Sequence, residues 1–415
     1  MAEKAKGIPH AIGSAAGLRD HPDEVIAFML VGGLYLSAVA TVVLLFLAAV
    51  WLAFTGRLKE TLLRVPGSTG LAVFCLLSLV VSVINRNVQG ILIAWVMGLV
   101  FLVTMRLRTA MTRSLFDRIT GFCVLCSLPG FVAVVIQKAA AGAGEYYRPE
   151  SLFLNANYYG AVASLTVLLC AYKAFRSSRP LRAAYAAAGV INLCGLLLSG
   201  CRTALPALAA AMIVLALADR RYRFAAFLIG SLAVALAVIV RHPELLPREE
   251  RVGADLAYRL SIWETAVRGI LRHPLVGRGG NAYLIASAEL GRPSEYHAHS
   301  LILDPLLNFG LAGTMLLASF YLENWRAIRI LRSDPQDRTR YALLASVMVC
   351  VLLHGLTDVT VFSVQTGTLV SVLLGVAGIC ERTPASGTEP QPAAERIPLG
   401  AVVRIADRRT DSRGA

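Results

Sequence analysis

Two histidines one residue apart, His297 and His299, sit where a long polar stretch gives way to an apolar run starting at Leu301. An ionisable ring at the point where a chain enters lipid is costly unless it has partners or a task. Imidazole takes or gives a proton near neutral pH, so the pair suggests a general base, His299, beside a membrane-embedded substrate. Two plainer readings stand beside it. His299 could be an interfacial residue without a task. His297 and His299 could also be metal ligands with Glu295 as a third, but no further His or Cys lies near them in the chain to complete a set. No metal site and no cofactor are therefore expected.

Arginines at the same edge of the membrane are the natural partners of such a base. Within a polar stretch at 241–298, Asp255 could cap a helix running through Arg272. At 100° per residue, Leu256, Leu260, Ile262, Trp263, Ala266, Val267, Ile270 and Leu271 share one face of it, with Ser261, Glu264, Arg268 and Arg272 opposite. Arg259 falls inside the apolar arc, where a guanidinium needs an anion. Either an ordinary salt bridge or a phosphate clamp would meet that need, and the planar fork of arginine suits phosphate. Arg202 lies in a short turn, Ser199-Gly-Cys-Arg202, either as a clamp or merely snorkelling to the interface. Arg148 opens a third polar segment ending Asn155-Ala-Asn157, whose amides could bind a sugar or cap the next helix. Gly277-Arg-Gly-Gly280 lacks the strand–helix setting of a nucleotide loop and reads as a turn.

The elements that position these residues are membrane spans. The 415 residues are 56% hydrophobic and 16% charged, with a mean hydropathy of +0.64, more apolar surface than a soluble domain can hide. The first apolar run, 25–54, would be about 45 Å long as one helix against a hydrocarbon core of about 30 Å, so it is one tilted helix or two broken near Gly32-Gly33. Further runs lie at 69–84, 90–105, 119–136, 158–175, 183–199, 203–218, 224–240, 305–322, 341–355 and 362–379. No cleavable signal peptide is evident at the start. The expected fold is an all-α polytopic membrane protein of about twelve transmembrane helices, with short helices in the 241–298 loop.

The net charge of +14 would suit nucleic acid in a soluble chain, but here it follows from arginine-rich loops on one side. Arg57, Lys59 and Arg64; Arg106, Arg108, Arg113 and Arg118; Lys173, Arg176, Arg179 and Arg182; Arg220, Arg221 and Arg223; and Arg326, Arg329, Arg332, Arg338 and Arg340 fall in alternate loops. The intervening short loops carry only Arg86, Lys138, Arg148 and Arg202. The basic set marks the cytoplasm, which puts 241–298 and His299 outside. The chain then divides into a cytoplasmic tail, 1–24; a first part of the bundle, 25–240; the external loop, 241–298; a last part of the bundle, 299–380; and a polar cytoplasmic tail, 381–415, with a disordered composition. The eight cysteines lie within or beside apolar runs, which argues against a disulfide framework and against a redox site at Cys123-Val-Leu-Cys126.

Four segments in this order resemble the bacterial O-antigen ligases, within the wider ligase and polymerase superfamily: Leu154-Asn-Ala-Asn157; Cys201-Arg202-Thr-Ala-Leu; Arg259-Leu-Ser-Ile-Trp263 with Pro274-Leu-Val-Gly-Arg-Gly279; and His299-Ser300 followed after nine residues by Gly310-Leu-Ala-Gly313. The resemblance covers 148–313. Ser300 stands where Asn is commoner, and Cys201 where Ser is usual. The resemblance implies a GT-C-like bundle in the bacterial inner membrane with its active site facing the periplasm. It implies transfer of polysaccharide from undecaprenyl diphosphate to the lipid A core oligosaccharide by an inverting, metal-independent glycosyltransferase. The partners would be that donor, that acceptor and the bilayer, with no nucleic acid. His299 would be the base, and Arg202 and Arg259 would hold the diphosphate, with Arg148, Asn157 and His297 as weaker substrate-binding candidates. An O-antigen polymerase would share the donor. A secondary transporter, the alternative from another class, should instead place charge near the bilayer midplane; His354 and Asp358, one helical turn apart if helical, are its best residues.

Overall fold

The computed structural model describes residues 21–142, 147–245 and 251–382. Among these the only regular elements are helices. Val88–Ala110, Arg113–Ala140, Ala156–Arg176, Arg179–Leu198, Tyr222–Arg241 and Leu303–Ile330 are long and apolar enough to cross a membrane. Ala38–Phe54 joins them if counted with Arg57–Leu63, which bends away from it by 101°. Ser68–Ile84, Ala204–Ala218 and Val364–Cys380 are shorter apolar helices. The protein is thus an all-α polytopic membrane protein, while about twelve spans remains an expectation. Ala156–Arg176 is the most enclosed of the six long helices, and its small residues let neighbours approach closely. Tyr222–Arg241 is the reverse: it exposes Phe227, Val234, Leu236 and Val240 around its surface, as suits a helix wetted by lipid. All eight cysteines are free.

The first apolar run is two helices, Pro22–Leu36 and Ala38–Phe54, and the break is at Ser37 rather than at Gly32-Gly33. Ser37 is extended, and its hydroxyl accepts the N–H of Ala40, capping the second helix. Gly33 serves close packing instead, because a side chain there would overlap Leu44 of the second helix. The expected tails lie mostly outside the described residues.

Charges collect at two ends for different reasons. At the arginine-rich end, Asp23 accepts from Arg106 at 2.8 Å and Arg57 at 3.4 Å, and Asp117 accepts from Arg340 at 2.6 Å. The fully buried Asp337 carboxylate holds Arg113 and Arg340. The buried Arg340 guanidinium is matched by two acids, which is the condition for tolerating it.

At the opposite end the chain makes an interlock. Leu303–Ile330 is broken at Gly310, whose φ of 62° is open to glycine and hardly to other residues. The segment after the loop helix Val252–Arg272 lies across the break. There the N–H groups of Leu311 and Ala312 donate to the carbonyls of Pro274 and Leu275, and those of Arg278 and Gly279 donate to that of Asn308. Backbone groups released by the break are therefore satisfied by the strap, as buried polar groups must be. A side-chain carbon at Gly310 would overlap Leu275, and one at Gly277 would overlap Asn308. The Gly277 stretch is thus a turn, one built to enter a broken helix.

Candidate active site

His299 sits on this interlock. Its φ of 47° is strained for a residue with a side chain, and three contacts hold the loop in place. The Ala298 N–H donates to Asp304 Oδ1 at 2.8 Å, Trp263 Nε1 donates to the His299 carbonyl at 3.4 Å, and the Leu301 N–H donates to the Gly355 carbonyl at 2.7 Å. Ser300 keeps a capping role: its hydroxyl accepts from the N–H groups of Ile302 and Leu303 at 3.3 Å. Asp304 in turn accepts from Asn308 Nδ2 at 2.7 Å, and Asn308 Oδ1 accepts the Ala282 N–H. One buried carboxylate therefore ties the histidine loop to the strap.

Asp358 is the partner the sequence did not reveal. Its Oδ1 lies 3.3 Å from His299 Nδ1 and accepts the Val359 N–H at 2.8 Å, while Oδ2 accepts from Asn157 Nδ2 at 2.6 Å. Arg148 holds the other end of that amide, donating from Nη2 to Asn157 Oδ1 and from Nε to the Ser199 carbonyl. Burial alone would push the Asp358 carboxyl up, but the His299 hydrogen bond and the charges of His299, His297 and His354 hold it well below the usual carboxylate range. A carboxylate accepting Nδ1–H fixes the tautomer that leaves Nε2 basic. Arg148 and Asn157, expected as substrate contacts, are thus linked to His299 through Asp358.

Asp358 does not pair with His354 through a helical turn. The helix Arg338–Gly355 ends before it, and His354 Nε2 faces Cys201 Sγ at 3.7 Å. His297 packs edge-on to His299 with ring centroids 4.3 Å apart. Burial, then the neighbouring His299 charge, pushes the His297 imidazole down to about 4, so it is neutral at pH 7. Its Nε2 lies 3.3 Å from Tyr158 Oη, and its buried Nδ1 has no hydrogen-bond partner. His297, His299 and Asp358 present ligand atoms all within 4.8 Å of one another. Glu295, the acid expected to complete such a set, accepts from Tyr258 Oη instead. The donors already on both Asp358 oxygens fit an orienting acid better than a metal ligand.

The two candidate clamps differ. Arg202 donates to Asp255 Oδ2, so Asp255 is an ion-pair partner and not the expected helix cap; the helix starts at Val252. The buried face of that helix is also not the arc expected. Leu256, Leu260, Val267 and Leu271 are exposed, and Asp255, Arg259, Ile262, Thr265, Ala266 and Gly269 turn inward. Arg259 is still on the inward face, and its Nη1 is buried with no hydrogen-bond partner among the described residues. It lies one turn before Trp263, which contacts His299, and near enough to His354 for its charge to act there. Arg268, by contrast, forms an exposed pair with Glu264.

Residues 187–318 match the family described as O-Antigen ligase. This stretch, about a third of the chain, is therefore similar to the O-antigen ligase family. The match contains Arg202, Arg259, His297, His299 and Gly310, while Arg148, Asn157 and Asp358 lie outside it. The chain is also 32% identical over 232 residues to the O-antigen ligase of Pseudomonas aeruginosa, an alignment covering 53% of this chain and 51% of that one. It thus spans about half the length of the curated relative it matches.

Proposed function

We propose that the protein is a lipopolysaccharide-building glycosyltransferase of the periplasmic face of the inner membrane. It transfers O-antigen polysaccharide from undecaprenyl diphosphate to the lipid A core oligosaccharide. The observation that carries this reading is the pairing of an oriented base with a partly buried guanidinium whose inward nitrogen lacks a partner among the described residues. Asp358 fixes His299, and one turn from the tryptophan that touches His299 the Nη1 of Arg259 has no partner. Buried polar atoms are rarely left unpaired in native structures, and the oxygens of a diphosphate accept well from the N–H fork of a guanidinium.

His299 Nε2 removes the proton from the acceptor hydroxyl as its oxygen bonds to the anomeric carbon. The bond from that carbon to the diphosphate breaks with its electron pair, giving inversion. Arg259 stabilises the charge that develops on the leaving diphosphate. Arg202 joins it by exchanging Asp255 for phosphate, and Arg148 acts through Asn157 and Asp358 on the base. Charge stabilisation from arginines makes a metal unnecessary on this reading. On this reading the arginine-rich opposite end is the cytoplasmic one.

The test is the lipopolysaccharide of a strain lacking the protein. Lipid-linked polymer should persist while lipid A carries bare core. Single-unit caps on lipid A would overturn this assignment in favour of an O-antigen polymerase.

A further inference from the structure

His299 lies beside two chemically different groups of residues. One holds Asp358, Asn157 and Arg148, with Arg202 and Arg259 on neighbouring elements. The other lines a cavity of about 520 Å³ whose wall includes the His299 ring. Among the described residues no Arg or Lys lines this cavity, and two acids, Glu295 and Asp304, do. Placing a diphosphate against two carboxylates with only imidazoles to offset them is unfavourable. The cavity instead combines hydrogen-bonding groups (Asn155, Asn281, Glu295 and Ser363) with Tyr296 and with an apolar wall that includes Met97 and Phe362. Tyr296 is 62% exposed. Amide, hydroxyl and carboxylate groups beside an accessible aromatic ring suit a sugar, which has polar edges and apolar C–H faces.

We propose that this cavity is the acceptor subsite: it binds an uncharged sugar ring against Tyr296 and presents one of its hydroxyls to His299. The proposal rests on the transferase reading of His299 and divides its two substrates by charge. The diphosphate lies on the arginine side and the neutral sugar on the acidic side. The hydroxyl proton passes to His299 Nε2, the hydroxyl oxygen bonds to the anomeric carbon, and the diphosphate leaves with the electron pair of the broken bond.

The experiment uses the full-length protein in nanodiscs. The probe is core oligosaccharide released from lipid A by mild acid, with binding read by saturation-transfer NMR without donor and KM read separately for donor and acceptor. Tyr296→Ala should weaken oligosaccharide binding and raise the acceptor KM about tenfold, equivalent to about 1.4 kcal/mol. The donor KM should not change, and Tyr296→Phe should restore acceptor binding. Met97→Trp, which fills the cavity from its apolar side, should also raise the acceptor KM. A rise in donor KM alone, or no change in either, overturns the subsite even if transfer proceeds normally. If the wild type binds the oligosaccharide in a Tyr296-dependent way but joins no polysaccharide to it, the subsite stands and the transferase reading falls.

Discussion

Replacing Asp358 by Asn removes a charge while keeping the shape, and it leaves no arrangement that satisfies all the neighbours. Oδ1 now accepts the Val359 N–H and faces His299 Nδ1, while Oδ2 accepts the Asn157 amide. An asparagine NH2 on the Oδ2 side would face the Asn157 NH2, whose flip is opposed by the bond from Arg148 to Asn157 Oδ1. On the Oδ1 side it would oppose the Val359 N–H and force His299 into the tautomer with Nε2 protonated. An orphaned buried donor costs about 1–3 kcal/mol, and a hydrogen bond to a charged group contributes about 1.5–3 kcal/mol. Taking about 3 kcal/mol in the transition state, kcat should fall about two orders of magnitude. The assay is transfer by purified protein in nanodiscs with saturating lipid-linked donor, alongside thermal unfolding to confirm that the variant is folded. His299→Ala combined with Asp358→Asn should be hardly slower than His299→Ala alone, since the two act as one unit. A kcat for Asp358→Asn within about threefold of wild type would refute the orienting role.

If Arg259 is the phosphate clamp, Arg259→Lys should not restore transfer, because one ammonium cannot reproduce a two-pronged contact; Arg268→Ala, which breaks only an exposed pair, should leave transfer rates near wild type. Transfer should survive EDTA, and loss with rescue by a divalent ion would make His297, His299 and Asp358 ligands. His297 is held neutral when folded, so the unfolded chain binds the extra proton between its ordinary value of 6.5 and about 4. Stability is therefore lost as pH falls through that window, and thermal unfolding of His297→Ala at pH 7 and pH 5 should show a smaller drop than wild type. Gly310→Ala should sharply lower folded yield and Tm because it combines left-handed strain with a clash against the strap. Gly142→Ala, also at positive φ but with no neighbour in reach among the described residues, should cost only the strain of about 1–2 kcal/mol.

Hydropathy made the all-α polytopic character legible, because lipid imposes that pattern on composition along the whole chain, while about twelve spans stays an expectation. Arg259 was legible too, although the expected face was rotated. Leu256, Leu260, Val267 and Leu271 are apolar but exposed, and a helix wheel cannot separate a protein-facing stripe from another apolar one. Asp358 was missed as the partner of His299 because i,i+4 spacing pointed to His354, and only the helix end at Gly355 shows that the spacing does not apply. The available signal was its solitude: a lone acid between apolar runs, at the same edge as a lone histidine pair, needs a partner there. Ser37 lost to Gly32-Gly33 as the expected break for a similar reason. Glycine also serves tight packing, and the sequence does not show that Leu44 presses on Gly33. The interlock of Gly277 with Gly310 depends on contacts between distant segments that no local pattern records.

The most direct measurement reconstitutes purified protein with undecaprenyl-diphosphate-linked polysaccharide and lipid A core, and follows the products by mass spectrometry. Wild-type protein should yield polysaccharide joined to lipid A core with the anomeric configuration inverted, and His299→Ala should yield none. A product extended only on the lipid-linked chain, or equal product from His299→Ala, would contradict the account.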